Sequence, residues 1–475
     1  HYITMNMKKH IVGCLLLLGT VSCNDFLEVM PVGKTVTPAF FSDMDGIRAA
    51  LPGAYHLLFG CYDGYLYKYP EVAGNMLYFR NLSDNAVNQY NFVSDAEMLD
   101  TTPGAIWRNV FEALNNVNNI IQYQPSLLEQ YPGYARELNR IKAEALFLRA
   151  LCHFELCRVY AQPYSYTPDA SHLGVPVLRK SPSVEQNVSR GTVAEVYKLI
   201  TEDLKESIVL FGSMKDDDYY HASSKASKAL LSRIYLYMEN WDKAIEYSTE
   251  VIDVMPLARG SDYIDMFRKP ENGEGKETIF RFTGYRKSVS IAKFYGKEGA
   301  VYPADTLYTL FDDPNDIRLQ LLKDGNQKDC LKYRYTGIEA NVVRNDILIL
   351  RTSEMYLNRA EAYLNKKALE KAAADLKAII ARALDKDVSE ISLPENDKEA
   401  LRRIIEKERS KELCFEGHQF YDITRRKQNL VREASTNSIV RFMPYPNDRF
   451  VLPIPQRELD ANPNMQPNPT VNKPR

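Results

Sequence analysis

The sequence predicts an all-α protein, in which stacked helix pairs form a scaffold around two long irregular segments. Apolar side chains recur at steps of three and four, the spacing of one face of a helix. This spacing predicts helices over residues 43–58, 105–123, 138–160, 192–210, 224–238, 241–254, 350–364, 369–384 and 397–415. Residues 60–104 and 257–345 lack this period and are rich in Gly, Pro, Asp and Tyr, so we expect irregular loop insertions there.

Short connections between the predicted helices indicate pairing. Only Glu239-Asn240 separates the helix that ends near residue 238 from the helix that begins at Trp241, so the two must be antiparallel neighbours. A capping box, Thr192-Val193-Ala194-Glu195, marks another helix start, because Thr and Glu there satisfy free backbone N–H groups. Beyond Pro444, Pro and Asn dominate, and we expect that tail to follow the surface without regular structure.

Two of the predicted pairs have features of tetratricopeptide units. Trp241, Ala244 and Pro256 fit half of such a unit, with a small residue at the helix crossing and Pro after the second helix. Residues 356–364 and 369–380 form the second pair. Stacked pairs of this kind bury a continuous seam and leave the intervening loops free for binding.

Charge and motifs exclude several classes of function. The formal net charge is -2, with 60 basic and 62 acidic side chains, so no global field attracts nucleic acid. The sequence has no HExxH, GxSxG, P-loop or GxGxxG motif, and we assign no catalytic residue and no cofactor. The seven cysteines form no CxxC pair and no zinc-like spacing, which argues against a disulfide framework.

The N-terminal segment predicts export and a lipid anchor. Met7-Lys8-Lys9-His10 is basic, and the apolar run of residues 11–18 is too short to span a bilayer. Cys23 follows a small residue, as in a lipobox, although Thr20 stands where Leu is commonest. We therefore expect a signal peptide over residues 1–22 and a diacylglycerol on the Cys23 thiol. The alternative is an ordinary secretory signal followed by an unrelated cysteine.

Seven stretches in chain order resemble the SusD/RagB family of Bacteroidetes outer-membrane lipoproteins. They are Cys23–Glu28, Ile106–Ile121, Ala143–Ala150, Ser189–Tyr197, Leu350–Leu357, Glu408–His418 and Leu452–Leu459. The resemblance implies one domain over residues 23–475, with an N-terminal part to 345 and a C-terminal part from 346. It also implies about four tetratricopeptide-like units and a SusC-like TonB-dependent barrel as the partner. The implied role is capture of an oligosaccharide, or less often a peptide, at the surface of the outer membrane.

Two aromatic clusters are the candidate ligand sites, because sugars need an aromatic face and polar groups for their hydroxyls. An early loop, within the irregular segment of residues 60–104, supplies Tyr78, Arg80, Asp84, Asn88, Tyr90 and Asn91. The later irregular segment supplies Tyr285, Tyr295 and Tyr302, with Phe294 beside them. In the family's starch-binding member an Arg, an aromatic residue and an Asn lie in the early loop, and Arg80, Tyr90 and Asn91 are their loose counterparts. The early loop has no Trp, which argues against starch. The alternative for the later rings is that they pin the segment to the helices.

Other residues with possible chemistry have structural explanations at the sequence level. Glu408, Glu412 and Glu416 share one helix face, but Arg and Lys alternate with them, which favours salt bridges over glycoside hydrolysis. The acidic run over residues 312–316 could hold Ca²⁺ but lacks EF-hand spacing, so a turn cap is the preferred interpretation. Trp107 and Trp241 lie at core spacing.

The leading functional hypothesis is therefore a glycan-binding surface lipoprotein that breaks no bond. The same scaffold could bind peptides, could be a surface glycoside hydrolase with two carboxylates in a cleft, or could be a structural adaptor for other proteins.

Overall fold

The computed structural model describes residues 38–471, except 94–101, 184–185, 216–217, 273–275, 286–289, 338–343 and 470. The expected signal peptide and Cys23 lie outside these described residues. Within them, no helix combines the length and the hydropathy that crossing a bilayer requires.

Helices dominate the fold, as the apolar periodicity predicts. In chain order the α-helices are α1 (Met44–Cys61), α2 (Tyr69–Val72), α3 (Val87–Tyr90), α4 (Thr102–Gln130), α5 (Ala135–Tyr160), α6 (Val193–Phe211), α7 (Ser224–Tyr237), α8 (Trp241–Ile252), α9 (Ser261–Arg268), α10 (Ser290–Phe294), α11 (Asp305–Tyr308), α12 (Thr352–Asn365), α13 (Leu369–Leu384), α14 (Lys398–Leu413), α15 (Gln419–Arg425) and α16 (Gln456–Ala461). A π-helical turn, Tyr62–Leu66, extends α1. The 3₁₀ turns are Pro132–Tyr134, Tyr164–Tyr166, Pro270–Asn272, Ile317–Leu321, Val388–Glu390 and Asp448–Phe450.

The strands are short and form antiparallel pairs. They are β1 (Leu77–Phe79), β2 (Thr278–Phe282), β3 (Val301–Pro303), β4 (Lys323–Asp324), β5 (Gln327–Lys328), β6 (Ile347–Arg351), β7 (Leu430–Val431) and β8 (Phe442–Met443). β1 pairs with β3, β2 with β6, β4 with β5 and β7 with β8.

The long helices pack as a continuous stack of antiparallel pairs. Pairs joined by short turns are α4 with α5, α7 with α8, and α12 with α13. α6 joins α5 to α7, α8 packs on α12, and α14 lies against both α12 and α13. The all-α, tetratricopeptide-like prediction is confirmed, since each helix buries its apolar stripe against the next pair.

One turn geometry recurs after α7, α12 and α15. In each turn a residue adopts the left-handed conformation: Glu239 at φ 57°, Lys367 at φ 61° and Lys427 at φ 57°. The next amide donates to the carbonyl five residues earlier, which is the Schellman arrangement that ends a helix. The repeated turn explains why three residues suffice to connect α7 to α8 and α12 to α13.

A buried ion network joins α14 to the second irregular segment. The Arg351 guanidinium donates to Glu277 Oε1 at 2.8 Å, Glu412 Oε1 at 2.7 Å and Glu416 Oε2 at 2.8 Å. Arg382 bridges Glu277 and Glu412 from α13. The salt bridges that the alternation of Glu with Arg and Lys favours do form, and they are buried.

The two segments predicted as irregular contain more structure than their composition indicates. Residues 60–104 hold the π-helical turn, α2, α3, β1 and the start of α4, and residues 257–345 hold α9, α10, α11 and four strands. The tail beyond Pro444 includes α16, so the expectation of no regular structure there is wrong. Apart from α4, these elements have two to eight residues, which is too short for periodicity to reveal, and long-range packing stabilises them.

Candidate functional site

The two irregular segments meet in a two-stranded sheet. β1 and β3 run antiparallel, with Leu77 opposite Pro303, Tyr78 opposite Tyr302 and Phe79 opposite Val301. Because side chains alternate between the faces of a strand, Leu77, Phe79 and Val301 point inward and are each 1% exposed. Tyr78 and Tyr302 point outward and remain partly exposed.

The two outward rings form a stacked pair. Their centroids lie 4.8 Å apart with an interplanar angle of 24°. The Arg80 guanidinium lies 5.4 Å from the Tyr302 centroid. It also donates to the Lys297 carbonyl, and the Arg80 amide donates to Ala300 O at 2.7 Å. We call Tyr78, Tyr302 and Arg80 the platform: two stacked rings with a cation held over the Tyr302 ring, which together offer an apolar surface and polar groups to a sugar.

The loop that follows β1 carries further polar groups, which lie near the platform residues in the sequence. Asp84 Oδ1 accepts from Ala86 N at 2.8 Å, which shapes the turn into α3. Asn88 is half-buried on that short helix. Asn85 hydrogen-bonds the half-buried Tyr65, and burial raises the pKa of that phenol.

Lys68 and Asp63 connect the first irregular segment to α10 in the second, and the sequence did not indicate either residue. Lys68 Nζ donates to Ser290 Oγ at 2.7 Å, and burial lowers its pKa to about 8. The Asp63 carboxylate accepts from Ser290 N at 2.9 Å and Ile291 N at 3.0 Å. Both residues lie in a Tyr-rich, period-free stretch, where no sequence signal separates a structural charge from a solvated one.

Tyr90 does not belong to an accessible site, contrary to the sequence prediction, whereas Asn91 is partly exposed. Tyr90 is 0% exposed, and its hydroxyl donates to Leu77 O at 3.1 Å. The Arg432 guanidinium lies 4.6 Å from the centre of the Tyr90 ring. Asn91 Oδ1 accepts from Ser438 Oγ at 2.9 Å. Both side chains anchor the β7–β8 hairpin, and Tyr90 is too deeply buried to contact a ligand in this conformation.

The later cluster also contains both buried and partly exposed tyrosines. Tyr295 is 1% exposed and stacks on Tyr333 at 5.2 Å and 22°, so it pins the segment to the core. Tyr285 is half-buried beside Arg344, whose guanidinium lies 5.6 Å from the ring centre. Of the three tyrosines predicted in this segment, Tyr302 is the one that the structure brings to Tyr78.

Two family models match successive parts of this chain. Residues 25–236 match the SusD-like model described as "Starch-binding associating with outer membrane", and residues 280–470 match the SusD family. The chain belongs to the SusD/RagB family. Members of this family bind carbohydrate and are associated with the outer membrane in Bacteroidetes.

Relatives along the whole chain agree with this membership. SusD-like protein P2 of Formosa agariphila is 24% identical, over 97% of this chain and 99% of the relative. A SusD superfamily structure from Bacteroides thetaiotaomicron is 27% identical, with a TM-score of 0.80 over 90% of this chain and 100% of that one. A SusD-like carbohydrate binding protein from Bacteroides vulgatus is 22% identical and shares the fold. Its TM-score is 0.74 over 91% of this chain and 100% of that one.

The carboxylates considered for hydrolysis are buried in this SusD-family chain. Glu408, Glu412 and Glu416 are 4%, 0% and 5% exposed. Glu408 binds Arg318 at 2.9 Å, and the arginines around Glu412 hold the pKa of that carboxyl well below its ordinary value despite burial. A general acid needs a raised pKa and access to the substrate, and Glu412 has neither.

The acidic run over residues 312–316 is ion-paired. Asp312 pairs with Lys407, Asp313 with Lys386 at 3.7 Å, and Asp316 with Arg318 at 2.6 Å. Asp316 also caps the 3₁₀ turn that follows it. Among the residues that the structure describes, no group of three or more His, Cys, Asp or Glu is arranged to hold a metal ion.

The two tryptophans occupy different environments. Trp107 is 3% exposed and packs edge-to-face on Tyr160, with the ring centroids 4.9 Å apart. Trp241 is the first residue of α8 and is partly exposed; one side packs on the core, and the side chain also lines a cavity. Core packing therefore accounts for Trp107 and for only part of Trp241.

Proposed function

We propose that this SusD-family protein captures an oligosaccharide on the platform formed by Tyr78, Tyr302 and Arg80. The stacked, outward-facing pair of tyrosines carries this proposal, because it combines an apolar ring surface with hydroxyls at the rim. Arg80 adds guanidinium donors close to the Tyr302 ring. Asp84 and Asn88 in the following loop add acceptors and an amide for selectivity among sugars.

In this proposal the protein holds its ligand without breaking a bond and passes it to a SusC-like TonB-dependent barrel. Lipidation at Cys23 would keep the protein on the outer membrane, with the platform exposed at the cell surface. Residues 23–475 would act as one domain, which is supported by the β1–β3 sheet between the two irregular segments and by one apolar core cluster that extends from Phe41 to Met465. No metal ion or cofactor takes part, so binding would persist in a chelator.

A glycan array probed with residues 24–475, followed by calorimetry on the best oligosaccharide, tests the proposal. We expect binding to one sugar class, an unchanged sugar chain after prolonged incubation, and equal affinity with and without EDTA. A parallel peptide library distinguishes the peptide alternative. Binding to peptides alone, or release of shortened sugars, would contradict the glycan-capture proposal.

The anchor and the partner need separate tests in cells. Labelling with a fatty-acid analogue is expected to mark the full-length protein and to fail for Cys23→Ala, which would then be released from the membrane. Affinity purification of the tagged wild-type protein from detergent extracts is expected to recover a TonB-dependent barrel. Unchanged labelling of Cys23→Ala would contradict the assignment of the anchor.

A further inference from the structure

A cavity of about 400 Å³ opens where α7, α8, α12, α14 and α15 converge. This volume lies in the range of small-molecule sites. Its elements are those of the helical scaffold, whereas the platform is built from the two irregular segments. The proposed capture site therefore leaves this cavity without a role.

One aromatic and three aliphatic side chains contribute to the lining of the cavity. Trp241 lies at the first position of α8, because the tight turn at Glu239 and Asn240 ends α7 immediately before it. Leu236, Leu364 and Ile405 also line the cavity. The aliphatic side chains are buried, and the partly exposed indole is the surface on which the apolar face of a pyranose can stack.

The polar part of the lining is already organised by hydrogen bonds among its own side chains. Arg402 is 41% exposed and donates to Glu399 Oε2 at 2.9 Å and Glu406 Oε1 at 2.8 Å. Gln428 Nε2 donates to the same Glu406 oxygen at 3.0 Å. These side chains hold one another in place. Little free energy would therefore be spent on ordering them when a ligand binds.

The charges around the cavity balance. Its basic residues are Lys398, Arg402, Arg425 and Arg426, and its acidic residues are Glu239, Glu361, Glu399 and Glu406. Glu361 pairs with both Arg425 and Arg426. An ionic ligand would have to displace such pairs, whereas sugar hydroxyls both donate and accept and can join them. The lining therefore favours a neutral polyhydroxylated ligand.

We infer that this cavity, which we name the Trp241 cavity, is a second saccharide-binding site that engages a neutral sugar ring by stacking on the indole. This inference rests on the proposed glycan-binding function and adds a site on the helical scaffold. A long glycan or a second molecule would occupy it independently of the platform.

Intrinsic fluorescence isolates this site, because the chain has two tryptophans and Trp107 is buried. Acrylamide quenching of residues 24–475 therefore reports mainly on Trp241. The probes are malto-, cello-, laminari- and xylo-hexasaccharides at up to millimolar concentration, with calorimetry on the same samples. A hexasaccharide is expected to reduce quenching at least twofold in the wild type, and this protection is expected to persist in Tyr302→Ala.

Arg402→Ala keeps the indole and removes the organised polar part of the lining, so the saccharide concentration for half protection should rise at least tenfold. Lys243→Gln is the matched control, since this exposed residue lies on the same helix outside the cavity lining and should change nothing. If a saccharide binds in calorimetry but leaves the quenching of the wild type unchanged, the second site is overturned and the platform stands. The same holds if the protection is lost in Tyr302→Ala. Protection by peptides but by no saccharide overturns the ligand class. If neither these hexasaccharides nor the array-selected oligosaccharide binds in calorimetry, the proposed function fails and the second site fails with it.

Discussion

Tyr78 and Tyr302 oppose each other directly across the β1–β3 pair, and their rings stack with centroids 4.8 Å apart. The inward neighbours Phe79 and Val301 fix this register, because a slip of one residue would turn buried apolar side chains to solvent. The platform is thus a consequence of how two segments distant in the chain pack together.

Removing one ring of this pair should weaken glycan binding and leave folding almost unchanged. Tyr302→Ala is expected to raise the Kd for the array-selected oligosaccharide at least tenfold, which corresponds to about 1.4 kcal/mol. The ring is partly exposed, so the melting temperature should move little. Tyr134→Ala, at an exposed tyrosine in the α4–α5 connection, is the control and should bind like the wild type. Equal affinities of Tyr302→Ala and wild type would remove the platform as the site.

Tyr90→Phe should lower stability and leave glycan binding unchanged, the reverse of the result expected for Tyr302→Ala. The Tyr90 hydroxyl donates to Leu77 O and accepts from Asn437 N at 3.1 Å. Its loss leaves buried polar groups without a partner, which costs about 1–3 kcal/mol of unfolding free energy. Urea denaturation measures this loss, and calorimetry is expected to show an unchanged Kd. A weaker Kd at full stability would restore Tyr90 to the binding site.

The ion network around Glu412 should be sensitive to loss of a single charge. Glu412→Gln leaves Arg351 and Arg382 short of a buried countercharge, and we expect a loss of about 3–5 kcal/mol in unfolding free energy. Glu202→Gln is the control, since its pair with Arg179 is exposed at 44% and 55% and should contribute at most about 1 kcal/mol. Chemical denaturation of both variants measures the contrast, and similar losses would contradict the assigned role of burial.

His153 should make stability depend on pH. Burial lowers its pKa from 6.5 to about 4. The unfolded chain takes up this proton below pH 6.5 and the folded chain only near pH 4, so stability falls as the pH drops between these values. The slope is at most about 1.4 kcal/mol per pH unit.

A difference profile separates His153 from other groups. Burial raises the pKa of Glu71 to about 7, against the effect of its backbone N–H donors, and a raised acid pKa has the opposite sign. The unfolding free energy of His153→Gln is subtracted from that of the wild type at each pH from 7.5 to 4.5. Glu71 contributes equally in both proteins, so its contribution cancels in the difference. The wild type should lose more stability than the variant below pH 6.5, and parallel profiles would contradict the role of His153.

Much of the scaffold could be predicted from the sequence because helices are local structures. The apolar period placed α13 at its observed bounds, and the Thr192 capping box forms as predicted. The Glu239-Asn240 connection correctly predicted that α7 and α8 are antiparallel neighbours. Residues 350 and 351, in contrast, were assigned to a helix but end β6, because a short apolar run has no decisive period.

The candidate site was only partly predictable. Composition drew attention to both tyrosine-rich segments, but it could not separate the partly exposed Tyr78 and Tyr302 from the buried Tyr90 and Tyr295. In a segment without periodicity, neighbouring tyrosines have the same local signal whether they face solvent or core. The cavity beside Trp241 was missed for a related reason, since helical spacing indicates a core position and not how completely the neighbouring helices cover it.

The sequence by itself determined the helices, their pairing and the resemblance to the SusD/RagB family, because these depend on residues close together in the chain or on motifs in a set order. Only the tertiary structure decided which tyrosines form the platform and which are structural, and which charges of α14 are buried. Those outcomes depend on contacts such as Tyr90 with Arg432 and Arg351 with Glu412. Partners so far apart in the chain meet only when the whole stack of helices is assembled.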